Sequence, residues 1–284
     1  MTTTTLQVPV PTRTTAPSAP RVRAVSVLAS RRLALTIRSP RSLGGPLLTP
    51  VLFALVIAPA LANTIALPSG RTAYMTFVAL ATAGLLIPLN CMFSGLGVIV
   101  DRQHGAMREL LVAPIRRSAI VMGNLVAAVA ITALQLVVLI VVSALRGAHY
   151  LMSSRTLWFV AAALLFAVFM YMLAEILAVR VPQPEEYIAA VPAIAIVPFF
   201  FAGSLFPITA LPHWLAAIAK VLPLTHALAL FRYGITGDGG RALHNIWGMH
   251  SVPEMATLSL VVLGLFTAGA VAGALRLFAR AERN

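Results

Sequence analysis

Charged residues are scarce in this chain. Only 10% of its 284 residues are charged, 60% are hydrophobic, and the mean hydropathy is +0.92. A soluble domain usually carries about a quarter charged residues, so the chain has too little polar surface for an ordinary water-soluble enzyme. Its apolar content also argues against disorder. We therefore predict an integral membrane protein, with room for about six membrane-spanning helices.

Lysine and cysteine are each present once, as Lys220 and Cys91. A single cysteine cannot form an intrachain disulfide. The phosphate-binding loop of ATPases places a glycine directly before its lysine, whereas Lys220 follows Ala219. The motifs HExxH and GxSxG are also missing, and the histidines lack the spacing of a metal site. We predict no catalytic residue, no metal site and no cofactor bound by this chain.

Hydropathy predicts an all-α membrane protein with six transmembrane helices. Residues 21–280 are interpreted as a single transmembrane domain, between a Thr- and Pro-rich tail at 1–20, predicted to be disordered, and a short C-terminal tail at 281–284. The expected spans are 47–67, 73–100, 119–145, 156–179, 187–206 and 256–278.

Basic residues outnumber acidic residues by 21 to 8 and lie in short loops and tails. This placement indicates charges that set membrane topology rather than a surface for nucleic acid. Fifteen of them lie in the N-terminal tail, the second-to-third loop, the fourth-to-fifth loop and the C-terminus, and six lie in the other loops. Cytoplasmic segments carry the excess of basic residues, so both termini are predicted to be cytoplasmic.

Residues 21–41 have the pattern of a basic amphipathic helix. Apolar residues fall along one helical stripe and Arg23, Arg31 and Arg38 fall opposite; the stripe consists of Val22, Val25, Ala29, Leu33 and Ile37. A helix of this kind lies in the membrane interface with its arginines toward anionic head groups. An irregular basic tail is the alternative.

A second half-apolar segment lies between the fifth and sixth predicted spans. Pro207, Pro212 and Pro223 bracket a short apolar helix that contains Trp214. The helix is too short to cross a bilayer, and a seventh span would place the basic C-terminus outside. We therefore predict a short re-entrant helical segment.

Glu175 is the one acidic residue inside a predicted span. Carboxylates inside a membrane are costly and are functional candidates by default. Glu175 is interpreted either as a transport or proton-coupling residue, or as a structural residue that reaches the interface or pairs with Arg180. The aromatic run Phe199, Phe200 and Phe201 either lines an apolar pathway or faces lipid and neighbouring helices.

The loop between the second and third spans reads DRQHGAMRELLVAPIRRS from Asp101. Gly105 permits a turn, and Pro114 ends a helix in which Met107, Leu110 and Leu111 have helical spacing. A small amphipathic helix between two spans suits docking to a cytoplasmic partner.

This loop resembles the signature of the ABC-2 family, the permease subunits of type-2 ATP-binding-cassette exporters, although Ala106 stands where a Thr is common. A second stretch resembles the family's short re-entrant helices after the fifth span, through Phe206-Pro207, Leu211-Pro212, Trp214, Pro223-Leu224-Thr225 and Arg232. The resemblance covers residues 21–280.

The resemblance implies a dimer of two permeases, identical or paralogous, and two cytoplasmic ATPase subunits that hold ATP and Mg. These subunits would engage residues 101–117 and the region near 21–41. The residues implied in docking are Asp101, Arg102, His104, Gly105, Met107, Arg108, Glu109, Leu110, Leu111 and Pro114. Arg102 and Arg108 would pair with carboxylates of the partner.

The chain most resembles the compact antibiotic and multidrug members of the family, and its apolar spans favour export of a hydrophobic or amphiphilic compound from a bacterial inner membrane. Export of a lipid-linked or polysaccharide substrate stays open. So do an ion-coupled secondary transporter that uses Glu175 and a membrane enzyme built on His244, His250 and Glu254.

Replacing Glu109 or Gly105 is expected to uncouple ATP hydrolysis from export while the protein stays inserted, because both residues belong to the docking loop. Export and ATPase activity of each variant, measured side by side, test this. Unimpaired export in both variants would count against the docking role.

Overall fold

The computed structural model describes residues 21–38, 48, 51–60, 70–103 and 117–281, and the regular structure in these ranges is entirely helical. Residues 51–60 are helical and include a π-helical turn at Phe53–Ile57. The remaining α-helices, numbered here in chain order, are α1 Arg21–Arg38, α2 Gly70–Gln103, α3 Arg117–Leu145, α4 Thr156–Arg180, α5 Pro184–Phe201, α6 His213–Val221, α7 Pro223–Ile235, α8 Arg241–Trp247 and α9 Val252–Ala281.

Five of these helices are long and apolar enough to cross a membrane: α2, α3, α4, α5 and α9. They correspond to the second through sixth predicted spans, so the prediction of a helical multi-pass membrane protein is confirmed. Only part of the first predicted span, 47–67, falls within the described residues. The predicted tails at 1–20 and 281–284 lie outside them except for residue 281.

The predicted end of the fifth span was wrong. Helix α5 ends at Phe201 rather than at residue 206. Gly203 follows with a φ of +78°, a left-handed conformation that a helix cannot continue through. The hydropathy pattern extended the predicted span to residue 206 because Leu205 and Phe206 are apolar. Hydropathy does not detect the turn at Gly203, since the turn involves no change in polarity.

Helix α4 lies at the centre of the bundle and contacts α2, α3, α7 and α9. Small residues allow this close approach of several neighbours, and the buried ones on α4 are Ala162, Ala163, Ala167, Ala174 and Ala178. Larger rings fill the space at its beginning, where Phe159 meets Phe231 of α7 at 5.2 Å between ring centroids. Helix α4 is therefore the element against which the others are positioned.

Helix α1 packs along the beginning of α3. Leu28 is buried against Ala119 and Ile120, and a Cβ added at Gly123 would lie 2.6 Å from the Cβ of Leu28. The predicted apolar stripe needs a correction, because Leu28 is buried while Ile37 is 63% exposed. Helix α1 contacts α3 through the face centred on Leu28 and Ala29. The sequence of α1 alone does not identify this face as the buried one.

Helices α6 and α7 form a pair bent by 79° at Leu222. Pro223 begins α7, a position where its missing N–H is not needed. Leu228 of α7 fits against Gly84, near the middle of α2, while the carbonyl of Ile235 accepts a hydrogen bond from the backbone of Leu151, before α4. Helix α7 therefore runs from mid-bundle to the end where α4 begins.

The directions of the helices define two ends of the bundle, named here after Asp101 and Arg232. The Asp101 end contains the last turns of α2 and α4 and the first turns of α3 and α5. The Arg232 end contains the first turns of α2 and α4, the segment after α5, and helix α8. At 1.5 Å per residue, the 34-residue helix α2 joins these ends over about 50 Å.

The substitution Gly234→Ala is expected to destabilise the protein by about 1–3 kcal/mol through overpacking. An added Cβ would lie 2.7 Å from the backbone nitrogen and 2.8 Å from the Cβ of Phe159, where neither atom can move easily. Thermal unfolding in detergent measures the loss.

The matched control is Gly264→Ala on α9, where an added Cβ meets no atom within 4 Å. This change should be neutral or stabilise by up to about 1 kcal/mol, because alanine is the better helix former. Equal melting temperatures for the two variants would contradict the close α4–α7 contact.

Candidate functional site

An ion pair joins α1 to the last turn of α2. Arg32 Nη1 lies 3.2 Å from Asp101 Oδ2, and both side chains are about a quarter exposed. Gly97, one turn before Asp101, leaves the space that the guanidinium occupies, because a Cβ at Gly97 would overlap Arg32 Nη2. Sequence reasoning counted Arg32 only as a basic residue of the tail and missed this pairing.

A second arginine connects the same turn of α2 to the linker between α4 and α5. Arg102 Nη2 donates to the carbonyl oxygens of Val181 at 3.4 Å and Pro182 at 3.3 Å. These contacts connect α2 to α1 and to the α4–α5 linker immediately before residues 104–116.

Asp101 and Arg102 were both implied in docking, and the structure gives each a partner within the chain. The other implied docking residues lie outside the described residues: His104, Gly105, Met107, Arg108, Glu109, Leu110, Leu111 and Pro114. The structure therefore describes the base of the predicted docking loop and not the loop itself.

Glu175 lies inside the bundle with 1% of its surface exposed. The hydroxyl of Tyr171, one turn earlier on α4, donates to Glu175 Oε1. Within the described ranges the ion pair that forms is Arg32–Asp101, so Glu175 does not pair with Arg180 there. The carboxylate is therefore enclosed by neighbouring helices rather than exposed on the surface of the bundle.

Further buried polar groups lie close to Glu175. The Tyr187 hydroxyl donates to the carbonyl of Met92 at 2.7 Å and lies 3.5 Å from that of Ala174. Gly95 of α2 sits against this hydroxyl without room for a side chain. These contacts tie α2, α4 and α5 together in the half of the bundle nearer Asp101.

The three consecutive phenylalanines of α5 do not share one environment. Phe199 is buried, Phe200 is 50% exposed, and Phe201 is half-buried. The rings of Phe199 and Phe200 meet edge to face at 5.6 Å. The structure does not bring them onto a common cavity wall.

A cavity of about 1530 Å³ opens at the Arg232 end. Its walls come from the first turn of α2, residues 202–209, one face of α7, and α8 with the loops beside it. Of the residues predicted for the re-entrant segment, Pro207 lines the cavity, Pro212 and Pro223 precede and begin helices, and Trp214 is 65% exposed on α6.

Arg232 is the buried cation of this cavity, with 7% of its surface exposed. Its Nη2 donates to the carbonyls of Gly203 at 2.9 Å and Ser204 at 3.1 Å, which holds the turn after α5. Its guanidinium carbon lies 3.7 Å from the centre of the Phe77 ring. The Nε atom has no hydrogen-bond partner in the described part of the chain.

Sequence reasoning noted Arg232 as part of a family stretch and gave it no role. A signal was present, because Thr225 and Arg232 are seven residues apart and so lie on one face of a helix. Both line the cavity, and Thr225 Oγ1 is likewise buried without a partner in the described ranges. The sequence does not show which face of α7 meets a cavity.

The residues considered for a membrane enzyme do not converge. His244 and His250 line the cavity and Glu254 does not. No group of three metal-ligating side chains occurs within the residues that the structure describes.

The five apolar helices, each long enough to span a bilayer, define a multi-pass membrane protein. A family model described as ABC-2 type transporter matches residues 23–236, so the chain belongs to the ABC-2 type transporter family. This confirms the resemblance drawn from its motifs. Membership in a family of ATP-binding-cassette transporters implies an ATPase partner.

Two relatives carry the name "Putative transport permease ycf38". The protein of Porphyra purpurea is 25% identical over 246 residues, which cover 84% of each chain. The protein of Pyropia yezoensis is 28% identical over 218 residues, covering 75% of this chain and 74% of the relative. The similarity to these proteins extends over most of the chain.

Asp101→Asn is expected to loosen α1, because it removes one charge of the Arg32 pair. A partly exposed ion pair contributes about 0–1 kcal/mol, so amide hydrogen exchange in α1 should rise by up to about fivefold. Exchange is measured by mass spectrometry on the purified protein.

Asp238→Asn, at the opposite end of the bundle, serves as the control and should leave α1 unchanged. The double variant Arg32→Asp/Asp101→Arg reverses the two charges and should restore slow amide hydrogen exchange in α1. Equal exchange in the two asparagine variants would argue against the ion pair as a fastening of α1.

Proposed function

We propose that this chain is the membrane-spanning subunit of an exporter that moves a hydrophobic or amphiphilic compound out of the cell, driven by ATP hydrolysed on a separate subunit. The observation that carries the proposal is the fastening at the Asp101 end. Arg32–Asp101 and the contacts of Arg102 with 181–182 join three parts of the bundle next to residues 104–116.

This arrangement is suited to transmit a movement of the partner. When the ATPase subunits bind ATP and close, a displacement of the loop at 104–116 pulls on the end of α2. The contacts of Asp101 and Arg102 pass it to α1 and to the α4–α5 linker. ATP then shifts the permease between two states because it binds the two states with different affinity.

The Asp101 end is proposed to be cytoplasmic, in a bacterial plasma membrane, with both termini on that side. Support comes from three arginines of α1 that are exposed: Arg23, Arg31 and Arg38. Arginines placed so next to a membrane interact favourably with anionic head groups. Helix α1 would then lie along the cytoplasmic interface.

The bent pair α6–α7 is proposed to be re-entrant from the external side. Arg232 of α7 bonds the turn after α5, and Ile235 bonds the segment before α4, so the pair starts and finishes at the same end. A pair that returns to its own side does not cross the bilayer. This supports six spans in total, with the first at 47–67.

The assembly is proposed to contain two permeases and two ATPase subunits. Apolar side chains remain exposed along α9, among them Val261, Leu265 and Leu275. They suit contact with lipid or with a second permease. The apolar walls of the large cavity favour an amphiphilic cargo of the antibiotic or multidrug kind over a long sugar chain.

The test is gentle purification of the tagged chain from its native membrane, followed by transport in reconstituted vesicles. An ATPase subunit should co-purify near one to one, and export should require ATP. Glu175→Gln, which keeps the shape of the side chain and removes its charge, should leave ATP-driven export within about twofold, because a buried structural carboxylate moves no proton across the membrane.

An ionophore that collapses the proton gradient is the matched control and should not stop export. A chain that purifies alone, with export that ends on adding the ionophore or on Glu175→Gln, would instead establish ion-coupled transport. Ion-coupled transport is tested because Glu175 is a carboxylate buried inside a span, and such residues are often functional.

A further inference from the structure

From the cavity at the Arg232 end, we infer a binding site for an amphiphile with one anionic head group, in which Arg232 receives the head and the apolar walls receive the tail. This goes beyond the proposed function, because it assigns a ligand chemistry to a named site. The site is tested by binding alone and does not require that transport occur.

The charge of Arg232 favours an anionic head group. Arg232 is buried, and in the described ranges no carboxylate forms an ion pair with it. The acid that lines the same cavity, Asp238, accepts the backbone N–H of Gly240 at 2.9 Å through Oδ1 and so holds its own turn. Asp238 attracts Arg232 through space without touching it, and the Phe77 ring and two backbone carbonyls compensate part of the buried charge. A buried cation that lacks a carboxylate in direct contact still gains a strong partner when an anion enters the cavity.

Polar groups with unused hydrogen-bonding capacity lie on the cavity wall. Nη2 of Arg232 is used to hold the turn after α5, but Nε has no partner. One and two turns earlier on the same face of α7 lie Ala229, which leaves space, and Thr225, whose buried hydroxyl also has no partner. The wall of the cavity therefore carries two unused polar groups, which is uncommon for buried atoms.

The size of the cavity and the polarity of its walls favour a ligand with an apolar tail. Around the cation the cavity is lined by apolar side chains, including Phe77, Phe206, Ile208 and Ile246. Its volume of about 1530 Å³ exceeds the few hundred to 1,000 Å³ typical of small-molecule pockets. A small ion would leave these walls unoccupied, whereas an acidic head joined to a hydrocarbon tail matches both parts.

The experiment uses 9,10-dibromostearic acid, whose bromines quench nearby tryptophan, and its uncharged methyl ester. Trp158 and Trp214 are replaced by Phe, which leaves Trp247 of α8 as the reporter among the three tryptophans. Ile246 and Met249, on either side of this residue, line the cavity. The full chain in a neutral detergent should bind the acid at least tenfold more tightly than the ester.

Arg232→Gln should weaken binding of the acid by about tenfold or more, the loss expected for one charge-assisted hydrogen bond, and should leave the ester unchanged. Arg146→Gln is the matched control, since Arg146 is an exposed arginine beyond the cavity lining, and it should change neither ligand. Equal binding of acid and ester, or equal effects of the two variants, would overturn the site.

Loss of the Gly203 and Ser204 contacts could unfold Arg232→Gln, so a second variant tests the cavity without touching the cation. Ala229→Leu fills space beside Arg232 and should weaken the acid and the ester alike. If the acid quenches Trp247 equally well in Ala229→Leu, the ligand binds elsewhere and the proposal is overturned.

Brominated phosphatidylglycerol and phosphatidylcholine distinguish the source of the head group. If phosphatidylglycerol quenches Trp247 and phosphatidylcholine does not, and Ala229→Leu abolishes this quenching, the site is supported and its ligand is a bilayer lipid. Quenching by the fatty acid and by neither lipid supports the site and assigns it to a free amphiphile.

Discussion

Close packing around α4 is the constraint on which the rest of the structure depends. A membrane interior offers no water to satisfy backbone groups, so each span must be helical, and helices there associate through packing rather than through the hydrophobic effect. Alanines on α4 and the absence of a side chain at Gly234 let α7 approach the central helix at backbone distance. Helix α7 in turn carries Thr225 and Arg232 to the cavity wall.

The two ends of the bundle use arginine in different ways. At one end, the partly exposed Arg32 and the exposed Arg102 connect elements that sequence places far apart, joining α1 and the α4–α5 linker to α2. At the other end, Arg232 is buried and holds a turn through two carbonyls while its Nε stays unused. The planar fork of arginine makes several such contacts at once, which a lysine ammonium does not do in fixed geometry.

Much of the architecture was predictable because hydropathy reports the spans directly. Helices α2, α3, α4 and α9 begin and end within four residues of the expected ranges. The expected end of α5 failed at Gly203, where a left-handed backbone, and not a change in polarity, ends the helix. The predicted apolar stripe of α1 contained the buried Ala29 but left out Leu28 and included the exposed Ile37, because its partner α3 selects the face that is buried.

The sequence by itself determined that the chain is a helical membrane protein of the ABC-2 type, because composition, apolar run length and short motifs are local properties. Only the tertiary structure decided that Glu175 is buried against Tyr171, that Arg32 meets Asp101, and that Arg232 lines a large apolar cavity. These pairings join residues of different helices or depend on which face a helix buries. Both are decided by packing among several helices, which no single segment of sequence contains.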